Sequence, residues 1–150
     1  MPANTTPIWA LTPNVGTVTL TTTAVNTSSA GGGTVATDIF KTFTAGANGS
    51  FVQKVRFMSV ASAANITGVA TTLRVFLSTV GSGATAAANT FLVGEVSVPA
   101  IASDHSTNAT NYYDFIINQA IPTGMFVHVT QHVAQTTNQN WVAVCFGGDY

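Results

Sequence analysis

The sequence is poor in charge. Aspartate, glutamate, lysine and arginine make up 6% of its 150 residues, against roughly 25% in an average soluble domain. The few cations exclude a nucleic-acid surface, which needs several of them on one face, and a basic membrane-surface helix. A net charge of −1 gives little repulsion between copies, so the surface tolerates self-association. The four basic residues are Lys41, Lys54, Arg56 and Arg74.

The chain also lacks paired cysteines and long apolar runs. Cys145 is alone, which excludes an intrachain disulfide and a cysteine metal knuckle. No apolar run approaches the length of a transmembrane helix. The first residues, "MPANTTPIW", have neither the basic nor the apolar part of a signal peptide. We therefore expect no membrane partner.

Threonine is abundant, at about one residue in six, and β-branched residues suit pleated sheets. Apolar residues recur with period two between clusters of Gly, Asn and Ser, and no segment keeps a helical period for three turns. Strands are predicted at 16–25, 34–45, 51–62, 71–79, 90–100, 111–118, 124–133 and 140–147. Eight strands without helices predict an all-β fold, a two-sheet sandwich or a barrel.

The predicted strands differ in how they use their two faces. The third strand places Phe51 with Phe57 on one face and Val52 on the other. Several strands are apolar on both faces, as Phe76 opposite Leu77 shows. One face would pack the core, and the other needs a second cover from neighbouring subunits or from residues 1–16.

Residues 1–16 contain three prolines and little periodicity. They predict an extended N-terminal arm ahead of a single domain at 17–150. Ile8, Trp9 and Leu11 are the candidate partner-binding residues of this arm.

The stretch "MFVHVTQHV" (125–133) sets His128 and His132 four residues apart. In a strand this spacing spans about 13 Å, too long for two imidazoles on one zinc ion. The pair is therefore interpreted as interface or surface imidazoles, and Phe126, His128 and His132 become candidate inter-subunit residues. One histidine from each of three subunits, meeting on a symmetry axis, is the remaining metal alternative.

Catalytic motifs are not indicated. "SDHS" (103–106) holds Asp104 and His105 side by side, whereas a Ser–His–Asp triad is drawn from separated segments, and no G-x-S-x-G occurs. "SSAGGGT" (28–34) lacks the Lys-Ser/Thr ending of a phosphate loop. We therefore predict no enzyme, no metal and no cofactor.

The aromatic residues offer a second possibility. "NYYDF" and "NQNWV" place Tyr112, Tyr113 and Trp141 beside amides and a carboxylate, the groups that sugar-binding faces expose. The same rings are also common at protein interfaces and sandwich edges. Both interpretations, sugar binding and protein contact, stay open.

Two stretches resemble a known family. "AIPTGMFVHVTQ" (120–131), followed by "NWVAVCFGGDY" (140–150), resembles small jelly-roll proteins of tailed-phage particles. "GSFVQKVRFMSVASAANITGVATTLRVFLST" (49–79) resembles the middle of the same family. The charge-poor composition is similar to that of capsid decoration (cement) and head- or tail-fibre proteins.

This resemblance implies an eight-stranded antiparallel jelly-roll β-sandwich. Its first, eighth, third and sixth strands would form one sheet, and its second, seventh, fourth and fifth the other. It further implies a homotrimer on the capsid exterior that binds the major capsid protein lattice and stabilises the assembled head, with the arm reaching the shell and no catalytic residues. The alternative is a receptor- or glycan-binding module of a phage fibre or tail.

Overall fold

The computed structural model describes residue 10 and residues 12–63, 66–100, 102–103 and 111–150. These residues form antiparallel β-sheets, and they include no helix long and apolar enough to span a bilayer. The long strands are β1 (Thr12–Leu20), β3 (Phe40–Thr44), β4 (Ser50–Ala61), β6 (Thr71–Ser78), β8 (Thr90–Val98), β10 (Tyr112–Ile121), β11 (Phe126–Gln131) and β12 (Gln139–Asp149). Four two-residue strands accompany them: β2 (Gly33–Thr34), β5 (Ile66–Thr67), β7 (Ala84–Thr85) and β9 (Ala102–Ser103).

The long strands form two four-stranded sheets. The front sheet has the order β1-β12-β4-β10, and the back sheet has the order β3-β11-β6-β8. Alternate side chains of both sheets meet in one buried apolar cluster, to which Phe57 and Trp141 contribute from the front and Val75 and Val127 from the back. The all-β prediction with antiparallel sheets is confirmed, in a sandwich-like arrangement.

The first strand begins earlier than predicted. β1 starts at Thr12 and includes Pro13, so residues 12–16 belong to the front sheet and not to an arm. Proline lacks the N–H that a central strand needs, but β1 lies at the edge of its sheet, where one side of the backbone needs no partner.

The predicted second strand is interrupted. Residues 34–45 divide into β2 and β3 because Ala36 takes a left-handed conformation, with φ 69°. The Asp38 carboxylate accepts a hydrogen bond from the Thr34 N–H at 2.6 Å and closes this turn.

A bulge in β4 corrects the predicted faces of its first residues. Phe146 of β12 pairs with Lys54 and the next residue, Gly147, pairs with Val52, so Gln53 is the extra residue. An extra residue reverses the alternation beyond it. Val52 therefore enters the core and Phe51 is half-buried on the other side, opposite to the prediction.

Residues 21–39, the covering segment, run across the outer face of the back sheet. The Asn26 N–H donates to the Gln131 carbonyl at 2.9 Å, and β2 pairs with β7. At Gly31 a Cβ would lie 2.4 Å from the Thr90 carbonyl oxygen, so only glycine allows this close approach.

The covering segment buries apolar side chains on the outer face of the back sheet. Phe76, Ile39 and His128 are fully buried, yet none of them belongs to the core cluster between the sheets. The cover of this face was expected from other subunits or from residues 1–16. It comes instead from residues 21–39, because the long connection between β1 and β3 must cross from the front sheet to the back sheet.

Candidate functional site

The outer face of the front sheet, called the front face below, is a broad mixed surface. Its side chains alternate with the core residues of the same strands and stand in rows across the sheet, as in the row Val15–Phe146–Lys54–Ile116. The other members are Thr17, Thr19, Val142, Val144, Arg56, Met58, Val60, Tyr112 and Asp114. These side chains are exposed or half-buried, so the face can contact a partner.

An ion cluster occupies the β4–β10 side of this face. Asp114 lies directly across from Arg56 in the β10–β4 register. The Arg56 Nε and Nη2 donate to its two carboxylate oxygens at 2.7 and 2.9 Å, and the Lys54 Nζ donates at 2.8 Å. Such a bidentate contact fixes the orientation of the guanidinium relative to the carboxylate, in addition to pairing their charges.

The cluster keeps its acid ionised. The hydrogen bonds from Arg56, with a further one from Lys54, hold the pKa of Asp114 well below its usual range despite some loss of hydration. A general acid or base needs a pKa near the working pH. Asp114 is therefore suited to orienting its two cations and not to transferring protons.

Aromatic rings cover the two cations. The Arg56 guanidinium carbon lies 4.2 Å from the centre of the Tyr112 ring, and the Lys54 Nζ lies 5.6 Å from the centre of the Phe146 ring. These cation–π contacts restrict both side chains. The face is thus apolar over much of its area, and its three charged side chains form one cluster of two cations and one anion with a net charge of +1.

The three predicted aromatic residues do not form one exposed sugar-stacking face. Tyr112 is 58% exposed on the front face, but Trp141 is fully buried in the core. Tyr113 packs edge-on against Trp141, with ring centres 6.0 Å apart. Trp141 turns inward because it pairs with the inward-facing Leu20 and Ser59 of the neighbouring strands, which corrects the prediction for these two rings.

His128 is placed differently from its prediction as an inter-subunit residue. It is fully buried within the chain, on the back-sheet face that the covering segment hides. Its ring stacks on Phe126, with centres 6.3 Å apart, and neither ring nitrogen has a hydrogen-bond partner among the described residues. A side chain without exposed surface cannot contact another subunit, so this assignment is wrong for His128.

Phe126 and His132 remain partly exposed. The Lys41 Nζ lies 5.2 Å from the centre of the Phe126 ring. His132 Nδ1 is 3.0 Å from the Arg74 Nη2, while the Arg74 Nε donates to Glu95. Arg74 also donates to the Asn26 carbonyl at 3.1 Å, so this network holds the covering segment to the back sheet.

The buried His128 predicts a pH-dependent stability. Burial, and secondly the positive charge of Lys41, lower the pKa of His128 from 6.5 to about 4. At a pH between about 4 and 6.5, His128 therefore binds a proton in the unfolded chain but not in the folded chain. The free energy of unfolding should therefore be fully retained above pH 6.5 and should fall as the pH drops towards 4, by up to about 3 kcal/mol. Thermal unfolding followed from about pH 7.5 to about 4.5 measures this loss.

Two substitutions isolate the contribution of His128. His128→Leu should remove most of the pH dependence in this range and cost little at neutral pH, because the ring nitrogens have no partners to lose. His132→Gln is the matched control and should keep the dependence. An equally steep loss of stability in the His128→Leu protein would contradict the explanation.

Some predicted residues cannot be placed. Ile8, Trp9 and Leu11 of the arm, and Asp104 and His105 of the "SDHS" stretch, lie outside the described residues. Among the residues that are described, no three His, Cys, Asp or Glu side chains cluster closely enough to hold a metal ion.

Two shallow grooves flank the front sheet. One, of about 480 Å³, lies beside Pro13, Val15 and Phe146, and its lining contains no ionisable side chain. The other, of about 440 Å³, lies between Asn48, Ile121 and Tyr150. Neither of these two grooves is lined by both an acid and a base.

Sequence reasoning missed a second exposed apolar patch. Phe91, Leu92 and Val93, which are neighbours in β8, are all exposed. The sequence carries one signal of the patch, since the run "FLV" breaks the alternation of its strand. Here β8 has a bulge: Leu92 pairs with Phe76 and Gly94 with Val75, which leaves Val93 as the extra residue.

Comparison with protein-family models and with curated proteins gives no match. Among solved structures, the chain is similar to a chain of the structure described as "Cyanophage Pam1 capsid asymmetric unit". The two are 17% identical, and the alignment covers 98% of this chain and 97% of that chain with a TM-score of 0.37.

Proposed function

We propose that this chain is a non-enzymatic structural protein of a tailed-phage virion, a trimeric capsid decoration protein on the exterior of the head. Its partners would be other copies of the same chain and the lattice of the major capsid protein. The sequence resemblance supports the class of protein. The front face is the observation that carries the proposal, because it is a broad, largely apolar surface whose one acid is paired with its two bases.

The strand order supports a jelly roll as the fold. Numbering the long strands along the chain, the front sheet has the order first, eighth, third, sixth, and the back sheet has the order second, seventh, fourth, fifth. These are the two orders that the family resemblance implies. A fold alone does not define a function, so the surface must carry the rest of the argument.

The front face suits a large, regular partner. Its exposed members include Val15 and Val60 at well-separated positions, with the Lys54–Asp114–Arg56 cluster nearby. Contact with a shell would bury these apolar side chains while each ion of the cluster keeps a partner of opposite charge, which lowers the cost of burying ions, and the one excess positive charge would lie opposite water or an acidic group of the shell. The opposite side of the sandwich is already covered by residues of the same chain.

The stabilising action would follow from mass action. A protein that binds the assembled shell and not its separated subunits stabilises the assembled state by RT ln(1 + [L]/Kd) at each site, about 2.7 kcal/mol when its concentration is a hundred times Kd. Many such sites on one head act together. The arm, with Ile8, Trp9 and Leu11, is proposed to add contacts to the shell.

Receptor or glycan binding by a fibre or tail module is the second candidate. It is favoured by Tyr112, whose exposed ring lies beside a carboxylate and a guanidinium. It is weakened by the burial of Trp141 and by the full use of Asp114 in holding Arg56 and Lys54. A sugar that binds would broaden or shift the NMR signals of Tyr112 before those of any buried ring.

The decoration proposal is tested by binding purified protein to phage heads stripped of it. The wild-type chain should bind saturably and raise the temperature at which the heads break open. Val15→Glu and Val60→Glu each put a charge into the proposed contact and should weaken binding roughly tenfold or more, the equivalent of about 1.4 kcal/mol per site.

Val25→Glu is the matched control. Val25 and Val60 are both 37% exposed, but Val25 belongs to the covering segment and not to the front face. The control should bind as the wild type does. Absence of wild-type binding would overturn the proposed function, and equal binding by all three variants would overturn the assignment of the front face.

A further inference from the structure

The covering segment hides polar atoms that it does not satisfy. His128 and Thr130 are alternate residues of β11, so they share the outer face of the back sheet, and both are fully buried. Among the described residues, neither ring nitrogen of His128 nor the Thr130 hydroxyl has a hydrogen-bond partner. Polar atoms buried without a partner favour any state in which water reaches them. Lifting the cover would hydrate these atoms and would leave the core between the two sheets intact.

The middle of the covering segment, residues 26–37, has little apolar surface to hold it down and is called the lid below. Its one large apolar side chain, that of Val35, is only half-buried. Three consecutive glycines at 31–33 regain much backbone freedom when the segment detaches. The N–H groups of Ser28, Ala30 and Gly32 donate to side chains of the lid itself. A segment built in this way opens at a lower free energy than the whole domain.

Hydrogen bonds near its two ends join the lid to the rest of the chain. At the first end, the Asn26 N–H donates to the Gln131 carbonyl at 2.9 Å, and the Asn26 carbonyl accepts from Arg74. At the second end, the Val35 N–H donates to the Gly83 carbonyl at 2.9 Å, beside the pairing of β2 with β7. The Asn26 and Val35 amides therefore report directly whether the lid is closed.

We infer that the lid opens locally in mildly acidic solution, with His128 as the trigger. The closed lid excludes the water that an imidazolium ion needs, so His128 takes up a proton only after the lid has lifted. Closing the lid over the charged ring would then bury a charge without a partner, which keeps the lid open. The opening is local because His128 lies between the lid and the back sheet and does not belong to the core cluster.

The charges around His128 do not favour its protonation in the closed form. Lys41 of β3 lies opposite His128 in the strand register, and its positive charge opposes a second one. The connection at 79–89, which reaches the same face, contains no charged residue. The other titratable groups of the back sheet's outer face and of the covering segment have partners of their own: Glu95 and His132 contact Arg74, and Asp38 accepts from the Thr34 N–H.

Hydrogen exchange of single amides, followed by NMR at about pH 7.5 and about pH 5 and divided by the intrinsic rate at each pH, tests the inference. At both values, the opening seen by Asn26 and Val35 should be more populated than that seen by Ala143, by about tenfold or more. Ala143 is the reference because it lies in the core and in the central strand β12. Burial lowers the pKa of His128 from 6.5 to about 4, so lid opening should rise roughly twentyfold or more towards the lower pH.

Two variants identify the trigger. His128→Leu should remove the rise of lid opening with acid, whereas Thr130→Val, which changes a buried side chain of the same face that does not titrate, should keep it. A His128→Leu protein that keeps the rise would overturn the inference.

The wild type alone also decides, in case a variant folds poorly. Lid amides that open no more often than Ala143, or equally often at both pH values, would overturn the inference. The lid lies on the side of the sandwich opposite the front face, so its failure would leave the proposed function standing. Loss of binding to heads would likewise leave the lid standing.

Discussion

Replacing Gly16 by alanine is expected to abolish folding or to lower the free energy of unfolding by more than about 4 kcal/mol. Gly16 lies in β1, and a Cβ built there would be 1.7 Å from the Thr42 carbonyl oxygen and 2.8 Å from its carbon. Both atoms belong to the backbone of β3, which cannot rotate away as a side chain can. The two sheets would have to separate at this edge, and the core between them would open. Urea unfolding of the purified variant, or its recovery in the soluble fraction, measures the effect.

Gly32→Ala is the matched control for this substitution. Gly32 lies in the covering segment, where an added Cβ would meet only the Ser28 Oγ, at an ordinary 3.6 Å. Its stability should stay within about 0.5 kcal/mol of the wild type or rise slightly, since alanine reduces the freedom of the unfolded chain. If the Gly16→Ala protein were as stable as the control, β1 and β3 would have to lie farther apart at Gly16 than the structure shows.

Replacing Trp141 by alanine should lower the free energy of unfolding by about 3–5 kcal/mol, the usual cost of removing a large buried ring. Trp141 is fully buried and contacts Tyr113 edge-on. It also lies in β12, a central strand of the front sheet, so the cavity would open in the middle of the core. Equilibrium unfolding in urea at neutral pH gives the difference directly.

Tyr112→Ala provides the comparison for Trp141→Ala. Tyr112 is an aromatic residue of the same predicted group, but its ring is exposed and contacts Arg56. The loss of stability should be below about 1 kcal/mol, as expected for an exposed cation–π contact. Similar losses in the two variants would contradict the inward orientation of Trp141.

Local pattern was sufficient to find the strands. Each predicted strand overlaps one of the eight long strands, because alternation and glycine breaks are encoded within a few neighbouring residues. The errors have local physical causes too. The prolines of residues 1–16 predict an extended arm, yet an edge strand accepts Pro13, and Ala36 divides the predicted second strand by adopting a positive φ, which is unusual for alanine.

The front face was predictable only in part. Alternation alone predicts that Tyr112 and Asp114 share one face of β10. It likewise predicts that Lys54 and Arg56 share one face of β4. Their meeting in one ion cluster depends on the register of β10 against β4. Register joins residues about sixty positions apart, and no local pattern specifies it.

By itself, the sequence determined the class of fold, the approximate strands and a surface poor in charge, since these follow from residue types and short-range periodicity. Only the tertiary structure decided which of two apolar faces is covered. The covering segment hides His128 and Phe76, the bulge at Gln53 turns Val52 inward, and the front face stays open. The physical reason is that alternation defines two faces of a strand, whereas burial depends on which distant segment packs against each of them.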